Sequence, residues 1–132
     1  MGFIINDTIK IVDLQEAFTK MFPYLKLELF RKGNNSGNGS SEIKQPILSK
    51  DKTLAEVSTI AKDQQVVVSP QTTVSELEKH IKEIFGLSLQ VFRKSGNVWL
   101  MTSFTDSWTL EEQNHQGEMI TEQMNSRKSK AS

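Results

Sequence analysis

The 132-residue chain has no cysteine, three prolines, one tyrosine and no excess of either charge, with sixteen Lys and Arg against sixteen Asp and Glu. Each shortage excludes something. Without cysteine there is no disulfide, no thiolate nucleophile and no thiolate metal site. Balanced charge argues against a dedicated nucleic-acid binder, whose domain carries a basic surplus. No apolar run approaches the roughly 18–20 residues that span a bilayer. The opening MGFIINDTIK lacks the basic start and apolar core of a signal peptide, and Asn6 stands where an N-myristoylation signal wants Ser or Thr. A soluble cytoplasmic protein is the expectation. HExxH, GxSxG, P-loop, GxGxxG and calcium-loop patterns do not occur either.

What is present is a repeat. Leu25–Lys32 (LKLELFRK) lies over Leu87–Lys94 (LSLQVFRK) with five of eight positions identical. Upstream, Leu14, Phe18, Met21 and Phe22 lie over Leu77, Ile81, Ile84 and Phe85. Downstream, Thr53, Leu54 and Glu56 lie over Thr109, Leu110 and Glu112. Three features recurring in one order point to an internal duplication.

Each copy reads β-α-β-β-α. A β-branched strand opens it, at Phe3–Ile5 and at Val66–Val68. A helix with apolar residues at three- and four-residue spacing follows. Thr73 to Glu76 forms a capping box at the second of these helices, whereas the first has Lys10 at the aligned position. The quoted strands alternate apolar and polar residues, a period of two with one buried face. Ser95-Gly96-Asn97 turns into a strand over 98–104. The matching turn in the first copy swells into a Gly-, Asn- and Ser-rich flexible loop, with a short proline-interrupted edge strand near Gln45–Leu48 beyond it. Capping boxes at Thr53 and Thr109 begin the closing helices, the first running to about Ala61. The last is nearly all polar after Leu110, so it is expected to fray from Gln113.

The expected fold is therefore α+β, two tandem units with pseudo-twofold symmetry and helices packed on a mixed or antiparallel sheet. The units span 1–64, with a flexible loop at 33–45, and 65–120, and a disordered polar tail covers 121–132. The alternative is a ferredoxin-like β-α-β-β-α-β core with a C-terminal extension.

Four basic residues at equivalent strand ends, Arg31, Lys32, Arg93 and Lys94, are candidates for an anion site if they converge. Phe30, Phe92 and Trp99 are near enough to stack bases, although the two phenylalanines fall on the face opposite the leucines and can equally be packing residues. Trp99 and Trp108 are candidate partner-docking residues. Trp108, one residue before a helix cap, also suits a hydrophobic staple packed with Trp99 and Phe104. His80 and His115 read as solvent-facing. No catalytic residue, cofactor or metal ligand is assigned.

The stretches VFRKSGNVW, TDSWTLEEQN and FPYLKLELFRK resemble a family of small duplicated α+β proteins of Bacteroidetes-type bacteria, one with no assigned function. The resemblance implies a bacterial cytoplasmic protein of the same build and supplies no site. Two readings of function follow. The first is a non-enzymatic interaction or regulatory protein that binds another protein through a sheet edge or the Trp-containing end. The second is an anion, nucleotide or RNA-backbone binder using the paired Phe-Arg-Lys ends, although nucleic acid is the less expected partner.

Overall fold

The computed structural model describes residues 2–32, 44–58 and 64–131. The elements are β1 (Phe3–Asn6), α1 (Ile11–Met21), β2 (Leu25–Lys32), β3 (Lys44–Pro46), α2 (Leu54–Val57), β4 (Gln65–Val68), α3 (Val74–Phe85), β5 (Ser88–Ser95), β6 (Val98–Met101) and α4 (Leu110–Ala131). A single 3₁₀ turn at Ser103–Thr105 ends the run predicted as strand over 98–104. The expected loop falls mostly on 33–43, outside the described residues, whereas α2 ends at Val57, short of the expected Ala61, because the backbone is already extended at Ser58.

The fold is mixed α+β with two antiparallel sheets. β1 pairs with β4, and the other four strands lie in the order β3-β2-β5-β6. This excludes the ferredoxin-like alternative, in which the strands of the first unit would share one sheet. Here the first unit gives β1 to one sheet and β2 and β3 to the other.

The two units are related by a twofold that can be followed bond by bond. Leu27 pairs with Val91 and Leu29 with Leu89, so the axis passes through the Glu28–Gln90 pair. Phe3 pairs with Val68 and Ile5 with Val66 in the same manner. The Lys10–Thr53 bridge recurs as Thr73–Thr109. Around it, the Leu54 amide donates to the Ile9 carbonyl at 3.0 Å and the Leu110 amide to that of Thr72 at 2.8 Å. Likewise Val12 donates to Lys50, and Ser75 to Asp106, both at 2.8 Å.

Both halves fill one core. Ile11, Leu14, Phe18 and Phe22 of the first lie at positions equivalent to Val74, Leu77, Ile81 and Phe85 of the second, and all are buried. They meet the leucine face of the sheet, where Leu25, Leu27, Leu29, Leu87, Leu89 and Val91 are buried by the period-two alternation. Ile5, Val66 and Val68 of the smaller sheet join the same cluster. The sequence units are therefore symmetric halves of one body.

Capping explains where helices begin. Glu56, Glu76 and Glu112 each accept the main-chain N–H of the threonine three residues earlier, at 3.0, 2.9 and 3.0 Å. Each threonine hydroxyl accepts the glutamate N–H in return. The threonine main-chain bond, and then its hydroxyl bond, hold all three carboxyl groups below the ordinary glutamate range. α1, beginning after Lys10, has no side-chain cap.

α4 departs from expectation. It stays helical to Ala131, through the segment expected to fray from Gln113 and to be disordered over 121–132. Its buried stripe is polar and small: Gln113, Gly117 and Thr121 follow Leu110 at three- and four-residue spacing. A Cβ on Gly117 would stand 2.9 Å from Tyr24 Cβ, 3.1 Å from Arg93 Cγ and 3.2 Å from the Lys94 carbonyl oxygen. The glycine lets the helix lie this close to the ends of β2 and β5. Specific hydrogen bonds take the place of an apolar stripe. Asn114 Oδ1 accepts the Tyr24 N–H at 2.8 Å, and Thr121 Oγ1 accepts the Gly96 N–H at 3.1 Å.

Candidate functional site

The antiparallel β2–β5 register decides what the repeated Phe-Arg-Lys ends can do. Arg93 lies opposite Leu25, six residues along β2 from Arg31. At about 3.4 Å per residue the two ends stand roughly 20 Å apart along the sheet. The twofold that makes Arg31 and Arg93 equivalent also separates them, and with them the Lys32 and Lys94 positions. A single anion site drawing on all four is not formed.

The two arginines also differ in use. Arg31 is exposed and borders a depression of about 180 Å³ with residues of the Gln45–Ser49 segment. Arg93 is built into the fold. Its Nη1 donates to Gln113 Oε1 at 2.9 Å, and its guanidinium lies 5.7 Å from the centre of the Trp108 ring. Gln113 in turn donates Nε2 to the Thr105 carbonyl oxygen at 2.6 Å and to its hydroxyl at 2.8 Å. Trp108 thus marks the start of α4 by receiving an arginine. The residue a staple would pack against is Gln113, which is engaged with Arg93 and Thr105.

Trp99 is on the other face of the sheet. Strand alternation puts it with Lys94, its partner across β5, and with Phe92 and Lys26. The Lys26 ammonium lies 4.9 Å from the Trp99 ring centre and 5.4 Å from that of Phe92. Trp99 and Trp108 therefore do not form one cluster, and Phe104 packs with neither expected partner, being fully exposed. Among the described residues none pointing from β2, β5 or β6 to this outer face is buried, Phe30 and Phe92 being half-buried. His80 and His115 are exposed, as expected.

The prominent surface feature is β6. All four of its residues, Val98, Trp99, Leu100 and Met101, are exposed, at 56, 37, 43 and 62 %. Among the described residues β6 is an edge strand, paired with β5 alone. The direction of its unpaired groups follows from two bonds. The Lys94 amide donates to the Tyr24 carbonyl, on the β2 side, and the Thr102 amide to the Val91 carbonyl. Val98, Leu100 and Thr102 thus bond to β5, and the N–H and C=O of Trp99 and Met101 point to the open edge.

Sequence reasoning found Trp99 and missed Val98, Leu100, Met101 and Phe104. A signal was present: residues 95–105 contain no charge, and the strand equivalent to β6 was already an expected edge. Comparison with known protein families, curated proteins and solved structures gives no match to this chain. Among the described residues no helix is long and apolar enough to cross a membrane, and no three His, Cys, Asp or Glu side chains are grouped to hold a metal ion.

Proposed function

We propose that the protein is a non-enzymatic interaction module that takes up a β-strand along β6. The observation that carries this is an edge strand of four exposed apolar residues, uncharged, with the main-chain groups of Trp99 and Met101 directed outward. Strand addition draws affinity from such main-chain groups and specificity from alternate side chains, here Trp99 and Met101 on one face and Val98 and Leu100 on the other. Phe104, fully exposed just beyond the strand, extends the apolar surface. As part of the same proposal, the repeated halves record an internal duplication, and the chain belongs with the small bacterial proteins it resembles.

The test is Met101→Pro, which removes one outward N–H. Pro46 occupies the equivalent position in β3, so a proline suits the backbone there. Wild type and variant are each immobilised and offered both lysate and the purified wild-type chain. The proposal expects a specific protein bound by wild type and lost from the variant. An identical bound set for the two sinks it. The paired anion reading is tested by Arg31→Glu in a mobility shift at low salt, where no dependence on Arg31 is expected.

A further inference from the structure

The strand that β6 takes up has a chemistry of its own, and the two edges of the four-stranded sheet indicate it. Under the twofold, Phe30 opposite Pro46 corresponds to Phe92 opposite Met101, and Lys32 opposite Lys44 corresponds to Lys94 opposite Trp99. The Ile47 amide donates to the Leu29 carbonyl, so in β3 the outward positions are Lys44 and Pro46. A lysine and a proline are the residues by which natural sheets close an edge to further pairing. At the two equivalent outward positions β6 has tryptophan and methionine. One edge is guarded and its symmetry mate is open.

Resting on the strand-addition reading above, we infer that the occupant of β6 is the β6 of a second copy of this chain, in an antiparallel pair across a new twofold. Three observations favour self-pairing. First, residues 95–105 carry no charge, so the two strands bring no like charges into register, the nearest cations being Lys26 over Trp99 and Lys94 opposite it on β5. Second, pairing produces the sheet β3-β2-β5-β6-β6-β5-β2-β3, which has the guarded β3 at both ends. The assembly closes at two copies, as an isologous interface must, and leaves no open edge of that sheet to propagate. Third, the exposed parts of Val98, Trp99, Leu100, Met101 and Phe104 sum to roughly 500 Å² per copy, about 1,000 Å² for the pair, which reaches the lower bound of a specific interface and suits a concentration-dependent association.

The register is also fixed. A twofold perpendicular to the sheet keeps each side chain opposite one on its own face, so the centre falls on a residue. Centring on Leu100 sets each Trp99 against the Met101 of the other copy, and their outward groups supply four main-chain hydrogen bonds. Centring on Trp99 would instead set Met101 against Asn97, inside the turn that follows Ser95. With the centre on Leu100, the two Leu100 residues form a non-hydrogen-bonded pair with Cα atoms about 4.5 Å apart. That spacing lies within disulfide range, and the chain has no other cysteine to confuse the result.

Two measurements test this together. Light scattering over a concentration series should show wild-type mass rising from 15.0 kDa toward twice that value, with Leu100→Lys weakening association at least tenfold. Leu100→Cys, oxidised with the disulfide form of glutathione, should give a covalent dimer. Val67→Cys, on the 64 % exposed outer side of β4, serves as control and should remain largely uncoupled. A wild type that stays at 15.0 kDa throughout overturns self-pairing. So does a dimer in which Leu100→Cys couples no faster than Val67→Cys, since its interface would lie elsewhere. A monomer that still loses a foreign protein on Met101→Pro overturns self-pairing alone, whereas indifference of every bound protein to Met101→Pro overturns the strand-addition reading as well.

Discussion

β3 and β6 occupy equivalent places at the two edges of one sheet, and they have been given opposite surfaces. β3 reads Lys-Gln-Pro and β6 reads Val-Trp-Leu-Met. The frame around them is shared: the same pairing with β2 or β5, and equivalent bridges before each closing helix. Symmetry of the backbone therefore coexists with asymmetry of use. Where two halves share a core they must match, because a mismatch leaves a void or a clash. At an edge they are free to diverge, and that is where this chain differs most.

The closing helices differ too. α2 has four residues and α4 has twenty-two. α4 runs over the end of β5, its fourth residue Gln113 fixing Arg93 and its extra length fixing the Gly96 turn that leads into β6. A Cβ on Gly96, whose φ is 68°, would run into Met124 Sδ. The open edge is thus held by a longer and more closely fitted support than the guarded one.

The strongest way to break the comparison is to cut equivalent core residues. Leu14→Ala and Leu77→Ala, both in fully buried positions, should each cost about 2–5 kcal/mol. Urea unfolding should remain a single transition in both, since the halves share one core. Two separate transitions would show that the halves fold independently. Gly117→Leu should cost about 1–3 kcal/mol by forcing α4 away from Tyr24 and Arg93, read as a lower midpoint at unchanged slope. An unchanged midpoint would mean that α4 is not held by that contact.

Capping sharpens the comparison at smaller scale. Thr73→Ala should lose about 1 kcal/mol, while Lys10→Thr should gain a fraction of that by giving α1 the side-chain cap it lacks. Thermal melts should move in opposite directions, and two downward shifts would contradict the equivalence of the sites. The smallest effect is in acid. The three box glutamates have folded pKa values below the ordinary 4.5. Their contribution is present above that value and lost as pH falls through the depressed folded values, because the unfolded chain binds protons first. The triple variant Glu56→Gln, Glu76→Gln, Glu112→Gln, which removes the titrating groups, should have a shallower loss of stability below pH 4.5 than wild type, measured by urea midpoints across the acid range. An equal slope would detach the boxes from acid stability.

Much of this frame was legible in the sequence, for identifiable reasons. Alternation exposed β2 and β5, helical periodicity exposed α1 and α3, and Thr-x-x-Glu marked three helix starts. Proline exposed β3 as an edge. α4 was hidden because its buried stripe is Gln113, Gly117 and Thr121, which no hydrophobic pattern can reveal. The fate of the Phe-Arg-Lys ends was hidden because it depends on strand register between residues some sixty positions apart, as Leu27 and Val91 show. Arg93 looked like a twin of Arg31 until the polar partners on α4 were in place. β6 was legible as a strand and not as a surface, since neither a buried nor an exposed apolar strand announces its cover.

The most direct test of the contrast between the two edges is amide hydrogen exchange on the wild-type chain at several concentrations. At low concentration the Trp99 and Met101 amides should exchange quickly, as unpaired groups on an open edge. Their protection should rise with concentration, while the amides of β3 stay unchanged. If Trp99 and Met101 are strongly protected even at low concentration, β6 is not the open edge described here, and if they stay unprotected at every concentration, self-pairing is overturned.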